Sequence, residues 1–458
     1  MRIFSQKACR VVPIVLALLL LGLASDNSGQ QKTEKRNRVA ERTSRKARVD
    51  RTVRSSSSAL ATDRLIVKFK SGTTAATAET LLQYHSLSNI RRISGVDVYR
   101  VKVPAGVTVR QMIAALSQDP AVSSARPDYR TKICAVPNDS YFSYYQYNLR
   151  NQGGSLIIAD DLVLALTSGA DIKAPAAWDV TTGSASTIIG IVDTGVDMSH
   201  SELSGKVVST GYDFVNDDSD ATDDNSHGTW VAGIAAAATN NSSGIAGVAW
   251  NCKILPVKVM DADGNGYYSD MIEGIVYAAD NGAKVINISA GGTDDDTTLE
   301  AACKYAYDKG VVVVAAAGNF DTGESTAVTY PAAYDNYVLA VAATDYTDAW
   351  ADFSCYGSQV DVAAPGVWIL GPAPQWYVGS DYLPYIFGSG TSAASPQVAG
   401  FAALLFTSKS WLTASQVMSI IRVSADDVNK TTYSGKDNYL GYGRINMGRG
   451  LAAYKITK

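Results

Sequence analysis

Five stretches of the chain are continuously apolar and rich in β-branched residues, with no polar face of their own. They read T-I-I-G-I-V from Thr187, K-I-L-P-V-K-V-M from Lys253, K-V-I-N-I-S from Lys284, V-V-V-V-A-A from Val311 and Y-V-L-A-V-A from Tyr337. Strands of that kind are buried on both sides. Between them the period changes to that of a helix, in D-M-I-E-G-I-V-Y-A-A-D from Asp270 and T-T-L-E-A-A-C-K-Y-A-Y-D from Thr297. Gly282 and Gly310 stand where such helices close. This alternation predicts an α/β fold of three layers, a parallel central sheet covered by helices on both faces. Residues 135–458 are enough to bury that core as one domain.

The first part of the chain follows other rules. Arg2, Lys7 and Arg10 precede an apolar run from Val11 to Leu23 that ends in the small residues Ala24 and Ser25. This order predicts a secretory signal peptide over residues 1–24, too short for a comfortable membrane span, so the exported protein keeps no stable membrane anchor. Residues 25–58 are basic and serine-rich with few large apolar groups, as expected of a disordered linker. Over residues 59–134 the pattern returns to strand (R-L-I-V-K-F-K from Arg64), helix (from Ala75 to His85), strand (V-D-V-Y-R-V-K-V from Val96) and helix (from Val109), a small α+β domain.

Charge divides the chain at the same place. Residues 1–134 hold 24 Lys and Arg against 9 Asp and Glu, and the rest hold 16 against 35, so the net charge of −4 joins a basic leader to an acidic body. An acidic body argues against nucleic acid as a partner.

Candidate chemistry then narrows to one constellation. The chain has three histidines, His85, His200 and His227, and all precede G-T-S-A-A-S-P around Ser392. An acid, a base and a nucleophile stand in the order Asp193 (I-V-D-T-G-V-D), His227 (H-G-T-W-V-A-G), Ser392, each beside glycine. A hydrolase with its histidine after the nucleophile is excluded, because no histidine follows Ser392. His200, seven positions after Asp193, reads as a hydrogen-bonded loop residue, and His85 as a solvent-facing helix residue.

The order and the motifs resemble those of the subtilisin-like serine proteases. The resemblance implies an Asp193–His227–Ser392 triad working through an acyl-enzyme, and Asn319, after V-V-V-V-A-A-A-G, as oxyanion donor. It also implies an edge strand N-I-S-A-G-G from Asn287 that pairs with substrate backbone through Ser289, Ala290 and Gly291, and Thr329 at the base of the specificity pocket. Residues 59–134 then resemble an inhibitory prosegment, an intramolecular partner removed by autocatalysis, whose tail from Pro127 to Ile133 lies along the cleft.

The implied protein is a secreted, monomeric endopeptidase acting on protein or peptide substrates. A catalytically silent binding protein on the same fold is the alternative, disfavoured by the intact set of four residues. An esterase or peptide ligase would share the acyl-enzyme. Where many relatives carry a second histidine this chain has Trp230, and Ala393 and Gln397 replace Met and His.

Structural calcium is expected at either of two places. One is the carboxylate-rich loop with Asp213, Asp218 and Asp220. The other is the loop of Asn241, in T-N-N-S-S-G-I-A-G from Thr239, which resembles the family's calcium-binding loop and so implies Asp139 and Glu202 as partners elsewhere. Loss of Cys9 with the signal leaves Cys134, Cys252, Cys303 and Cys355, buried or paired, with three pairings open.

Overall fold

The structure is a computed structural model that describes residues 12–13, 60–129, 135–159, 162–321 and 324–453. It divides into two units, residues 17–132 and residues 133–458 together with 1–16. The linker and most of the leader lie outside the described residues.

In the smaller unit four antiparallel strands follow the order Ser88–Ile93, Val98–Lys102, Leu60–Phe69, Val122–Tyr129. Leu65 and Val67 alternate inward along their strand and pack with Leu82 of helix Ala75–Tyr84 and with Met112 and Leu116 of helix Val109–Leu116. Thr108 and Gln111 close the second helix's start with a reciprocal capping box. The strand and helix pattern omits two of the four strands. Pro127–Tyr129, expected in the cleft as part of a tail, belongs to the sheet instead, where Pro127 is opposite Leu65 and Tyr129 opposite Leu60. The remainder of that tail, residues 130–133, lies outside the described residues. His85 caps the end of the first helix and is half-buried, not fully solvent-facing.

The larger unit is built on seven parallel strands in the order Val360–Pro365, Val338–Thr344, Val312–Ala316, Ala283–Ile288, Ile188–Asp193, Lys253–Lys258, Tyr212–Asp213. Alternate residues of one strand serve opposite layers. Val312 and Val314 pack with the helix layer formed by His227–Ala236, Thr391–Ser408 and Ala414–Ser424, whereas Val313 and Ala315 pack with Tyr268–Asp280 and Thr297–Asp308. Such two-sided burial is why these strands lack a polar face. Helix Thr391–Ser408 is buried along its length from Thr391 to Phe406, and its alanines and Gly400 allow that depth.

The expected edge strand takes another form. Asn287 and Ile288 lie in the centre of the sheet, between Val312–Ala316 and Ile188–Asp193, and only residues 289–292 run beyond its carboxyl end. There Gly292 and Tyr330 exchange backbone hydrogen bonds. A short antiparallel hairpin, Ile369–Pro372 with Tyr385–Gly388, adds a second sheet, whose outer edge pairs with Val12–Pro13. No helix among the described residues is long and apolar enough to cross a membrane.

Candidate active site

Asp193 is the last residue of its strand and is fully buried. Its Oδ1 accepts hydrogen bonds from Thr194 N at 2.8 Å and from His227 Nδ1 at 2.7 Å. The second oxygen, Oδ2, is buried with no hydrogen-bond partner among the described residues. His227 begins its helix and is partly exposed. Burial pulls its imidazole pKa down, but the Asp193 charge and hydrogen bond, with a smaller contribution from Asp223, outweigh this and leave it raised. Gly228 is required between the two elements: a Cβ there would lie 2.0 Å from Gly195 O and 3.2 Å from Asp193 Oδ1.

Asp193 and His227 are aligned by a buried carboxylate that the sequence pattern hides. Asp223 Oδ1 accepts from Thr194 Oγ1 (2.8 Å), Asn225 N (3.0 Å) and Ser226 N (2.9 Å). Its Oδ2 accepts from Thr229 N (2.9 Å) and Thr229 Oγ1 (2.5 Å). Thr194 Oγ1 in turn accepts from Gly228 N at 2.9 Å. One side chain therefore ties the residue after Asp193 to the first turn of the His227 helix.

Ser392 stands in the first turn of the central helix, where its N–H has no carbonyl one turn back to bond. Its Oγ donates to Ser289 O at 3.1 Å, and Ser289 Oγ donates to Ser392 O at 3.1 Å, so the helix start is fastened to the chain leaving the central strand. Asn319 is held by Thr391, whose N (2.9 Å) and Oγ1 (3.0 Å) both donate to Asn319 Oδ1. With its carbonyl so committed, the Asn319 amide is left to present its N–H groups. Thr329 donates to Ala317 O at 3.3 Å and lines, with Gly291 and Asn319, a cavity of about 580 Å³.

Residues 184–443, more than half of the chain, match the model of the Subtilase family, and residues 47–128 match that of the Fervidolysin N-terminal prodomain. The chain is similar to thermitase of Thermoactinomyces vulgaris, 46% identical over 323 residues, which is 70% of this chain and 99% of that protein. The chain belongs to the subtilase family. A thermophilic serine proteinase of Bacillus sp. (strain AK1) is 45% identical to this subtilase over 339 residues, 74% of this chain and 75% of the relative. Among solved structures, fervidolysin from Fervidobacterium pennivorans, a keratinolytic enzyme related to subtilisin, superposes with a TM-score of 0.55 at 28% identity, over 86% of this chain and 61% of its own. This subtilase is a subtilisin-type serine endopeptidase that carries a prodomain.

The calcium candidates separate on their contacts. Asp213 accepts from Val215 N, Asn216 N and Asn216 Nδ2, Asp218 from Asp220 N, and Asp220 from Thr222 N and Oγ1. Each carboxylate is spent on its own loop, and the three do not converge as a ligand set. No group of three His, Cys, Asp or Glu side chains able to hold a metal occurs among the described residues.

Asp139 and Glu202 differ, being buried carboxylates close enough for Asp139 to disfavour the charge on Glu202. Glu202 Oε1 accepts from Tyr385 OH (2.6 Å) and Ile245 N (3.4 Å), while Oε2 is buried without a partner among the described residues. Burial pushes the Glu202 carboxyl up to about 7. Asp139 itself accepts from Asn240 N at 2.8 Å and Asn241 N at 3.4 Å, so Glu202 Oε2 is the one orphaned carboxylate oxygen of this pair that a hard cation could use. The third candidate, Asn241, turns its side-chain oxygen to Ser243 N (2.9 Å).

His200 is the expected loop residue: its Nδ1 accepts from Glu202 N (3.1 Å) and Nε2 donates to Pro384 O (2.9 Å), which makes it a neutral imidazole. Cys252, Cys303 and Cys355 are buried and unpaired, and Cys134 lies outside the described residues.

Proposed function

We propose that this subtilase hydrolyses peptide bonds through Ser392, His227 and Asp193, as a secreted enzyme matured by its own activity. Ser392 Oγ attacks the scissile carbonyl as His227 accepts its proton, then returns it to the leaving amine. Asp193 holds the imidazole tautomer through Nδ1 and stabilises the imidazolium. The Asn319 amide and the Ser392 N–H bind the oxyanion, helped by the positive end of the central helix. Ser289, Ala290 and Gly291 offer backbone to an extended substrate, and Thr329 narrows the cavity that receives one side chain. The observation that carries this reading is the 2.7 Å contact of Asp193 Oδ1 with His227 Nδ1, made from a fully buried carboxylate.

A fluorophosphonate tests the reading directly. It is expected to add to Ser392, found by peptide mass mapping, at a rate that rises with pH as His227 loses its proton. Because the His227 pKa is raised, that rise is centred above the usual imidazole value of about 6.5. Labelling at another serine, or a rate flat in pH, overturns the roles of Ser392 and His227.

The domain limits proposed are 1–24 for the signal, 25–58 for the linker, 59–134 for the prosegment and 135–458 for the enzyme. The opposite charges of prosegment and enzyme favour their encounter. Calcium is proposed at Asp139 and Glu202, where the cation would relieve two buried negative charges. At a hundredfold excess over its dissociation constant, an ion bound only by the native state adds about 2.7 kcal/mol of stability. A chelator is therefore expected to lower the melting temperature of the wild type and to leave that of Glu202→Gln nearly unchanged. An unchanged wild-type melting temperature removes the site.

A further inference from the structure

A cavity of about 620 Å³ opens at the amino ends of the central strands, a volume usual for small-molecule sites. Thr187 and Gly310 line it just before Ile188–Asp193 and Val312–Ala316, and Lys284 lines it from the start of Ala283–Ile288. Asp193 stands at the other end of its strand, about 20 Å away at roughly 3.3 Å per residue. The cavity shares no lining residue with the one at Thr329.

Lys284 reaches the cavity through an irregularity in the sheet. Ala283 is opposite Ile188 and Val285 opposite Ile189, so Lys284 is an extra residue without a counterpart in that strand. Such bulges are rare between parallel strands, and they re-aim a side chain. Lys284 is the exposed residue of a strand otherwise buried, and its ammonium makes no hydrogen bond or ion pair among the described residues. The bulge therefore serves no contact of that side chain within the protein. The other charges of the lining are matched, Asp308 by Lys304 and Lys309 by Asp280. What remains is one uncompensated positive charge, in a region where residues 135–458 hold 16 Lys and Arg against 35 Asp and Glu.

The floor beside it is apolar. Phe406 and Leu412 are buried, and Tyr307 packs edge-on to Tyr337 with ring centroids 5.8 Å apart. Thr187 and Thr407 spend their hydroxyls on each other at 3.0 Å. At the rim the hydroxyls of Ser410 and Ser415 have no partner among the described residues. Donors without acceptors thus border an apolar surface.

We propose that this cavity binds a small organic carboxylate with an apolar body. The carboxylate lies on Lys284 and the rim hydroxyls, and the apolar part covers Phe406, Leu412 and Tyr307. A single uncompensated cation suits a monoanion, and a bare inorganic ion would leave the floor in water. Free aryl or alkyl acids and the C-terminal residue of a peptide share this chemistry, and the second is what a peptidase releases.

Isothermal titration of the purified protein with hydrocinnamate tests the site. Saturable binding is expected at a dissociation constant of about 1 mM or below. It is expected to weaken about tenfold or more for the uncharged hydrocinnamamide, and by as much in Lys284→Met, while Lys284→Arg keeps it. In Lys284→Met the acid and the amide are expected to bind alike. The exposed position of Lys284 lets that variant fold and cut casein as the wild type does. If it misfolds, Ser415→Trp replaces it, filling the rim from another exposed position. N-acetylphenylalanine separates the two sources: binding tighter than that of hydrocinnamate assigns a peptide end, and weaker binding assigns a free acid. Absence of saturable binding by either compound overturns the site. So does a dissociation constant unmoved by both variants, which is the result that binding in the cavity at Thr329 would give.

Discussion

Replacement of Ser392 by Ala is expected to leave a folded, unprocessed precursor without peptidase activity. The loss known for a subtilisin's own serine is about a millionfold in turnover, and the same order is expected of Ser392. Folding survives for reasons visible at the site. Alanine keeps the Cβ and suits a helix that is buried from its first residue. The variant gives up the 3.1 Å bond from Ser392 Oγ to Ser289 O, about 1 kcal/mol, but keeps the reciprocal bond from Ser289 Oγ to the residue-392 carbonyl. Gel mobility of the purified variant, N-terminal sequencing and a thermal melt check the three parts separately. Complete maturation with undiminished cleavage would refute the nucleophile.

The second large effect is expected at Asp223, which no motif announces. Asp223→Ala leaves five donors without their acceptor, and unsatisfied buried groups cost about 1–3 kcal/mol each before relaxation. We expect a loss of about 3 kcal/mol of stability, read by denaturant unfolding. Thr194 and the start of the His227 helix lose their common anchor, and a misplacement of the order of 1 Å costs about a hundredfold in turnover.

Asp223→Asn tests the charge, although its NH2 faces donors on one side and so disturbs alignment as well. It retains one acceptor oxygen and removes a negative charge that helps raise the His227 pKa. The acid limb of the kcat/KM profile should therefore move to lower pH, the sign required when the protonated imidazole is less favoured. An acid limb that does not move would limit Asp223 to a structural part.

How much of this could be read beforehand depends on what each feature needs from its residue types. Asp193, His227 and Ser392 stand out in the sequence as candidates because their chemistry admits few substitutes and their order along the chain excludes other arrangements. The central strands were legible because burial on both faces leaves no room for polar residues. Ser88–Ile93 escaped for the opposite reason: it is almost wholly exposed and carries Arg91 and Arg92. Val122–Tyr129 contains Pro127, which speaks against a strand until its pairing with Leu60–Phe69 is seen. Asp223 sits in a run of acidic residues that resembles a solvated loop, and only the fold turns it inward. Gly371 and Gly388 acquire meaning only from the Trp230 indole, which a Cβ on either would meet, because nothing local explains the absence of a side chain.

The depth of the central helix bears on how the enzyme survives its own activity. To cut a chain, a protease must draw several residues out as an extended ribbon, and Thr391 to Phe406 are buried without a break. Pulling them out means dismantling one face of the sheet, so a second enzyme molecule gains access only when the whole unit has opened. Wear by mutual digestion should therefore begin at surface turns, and Ser392 should be among the last residues that it reaches.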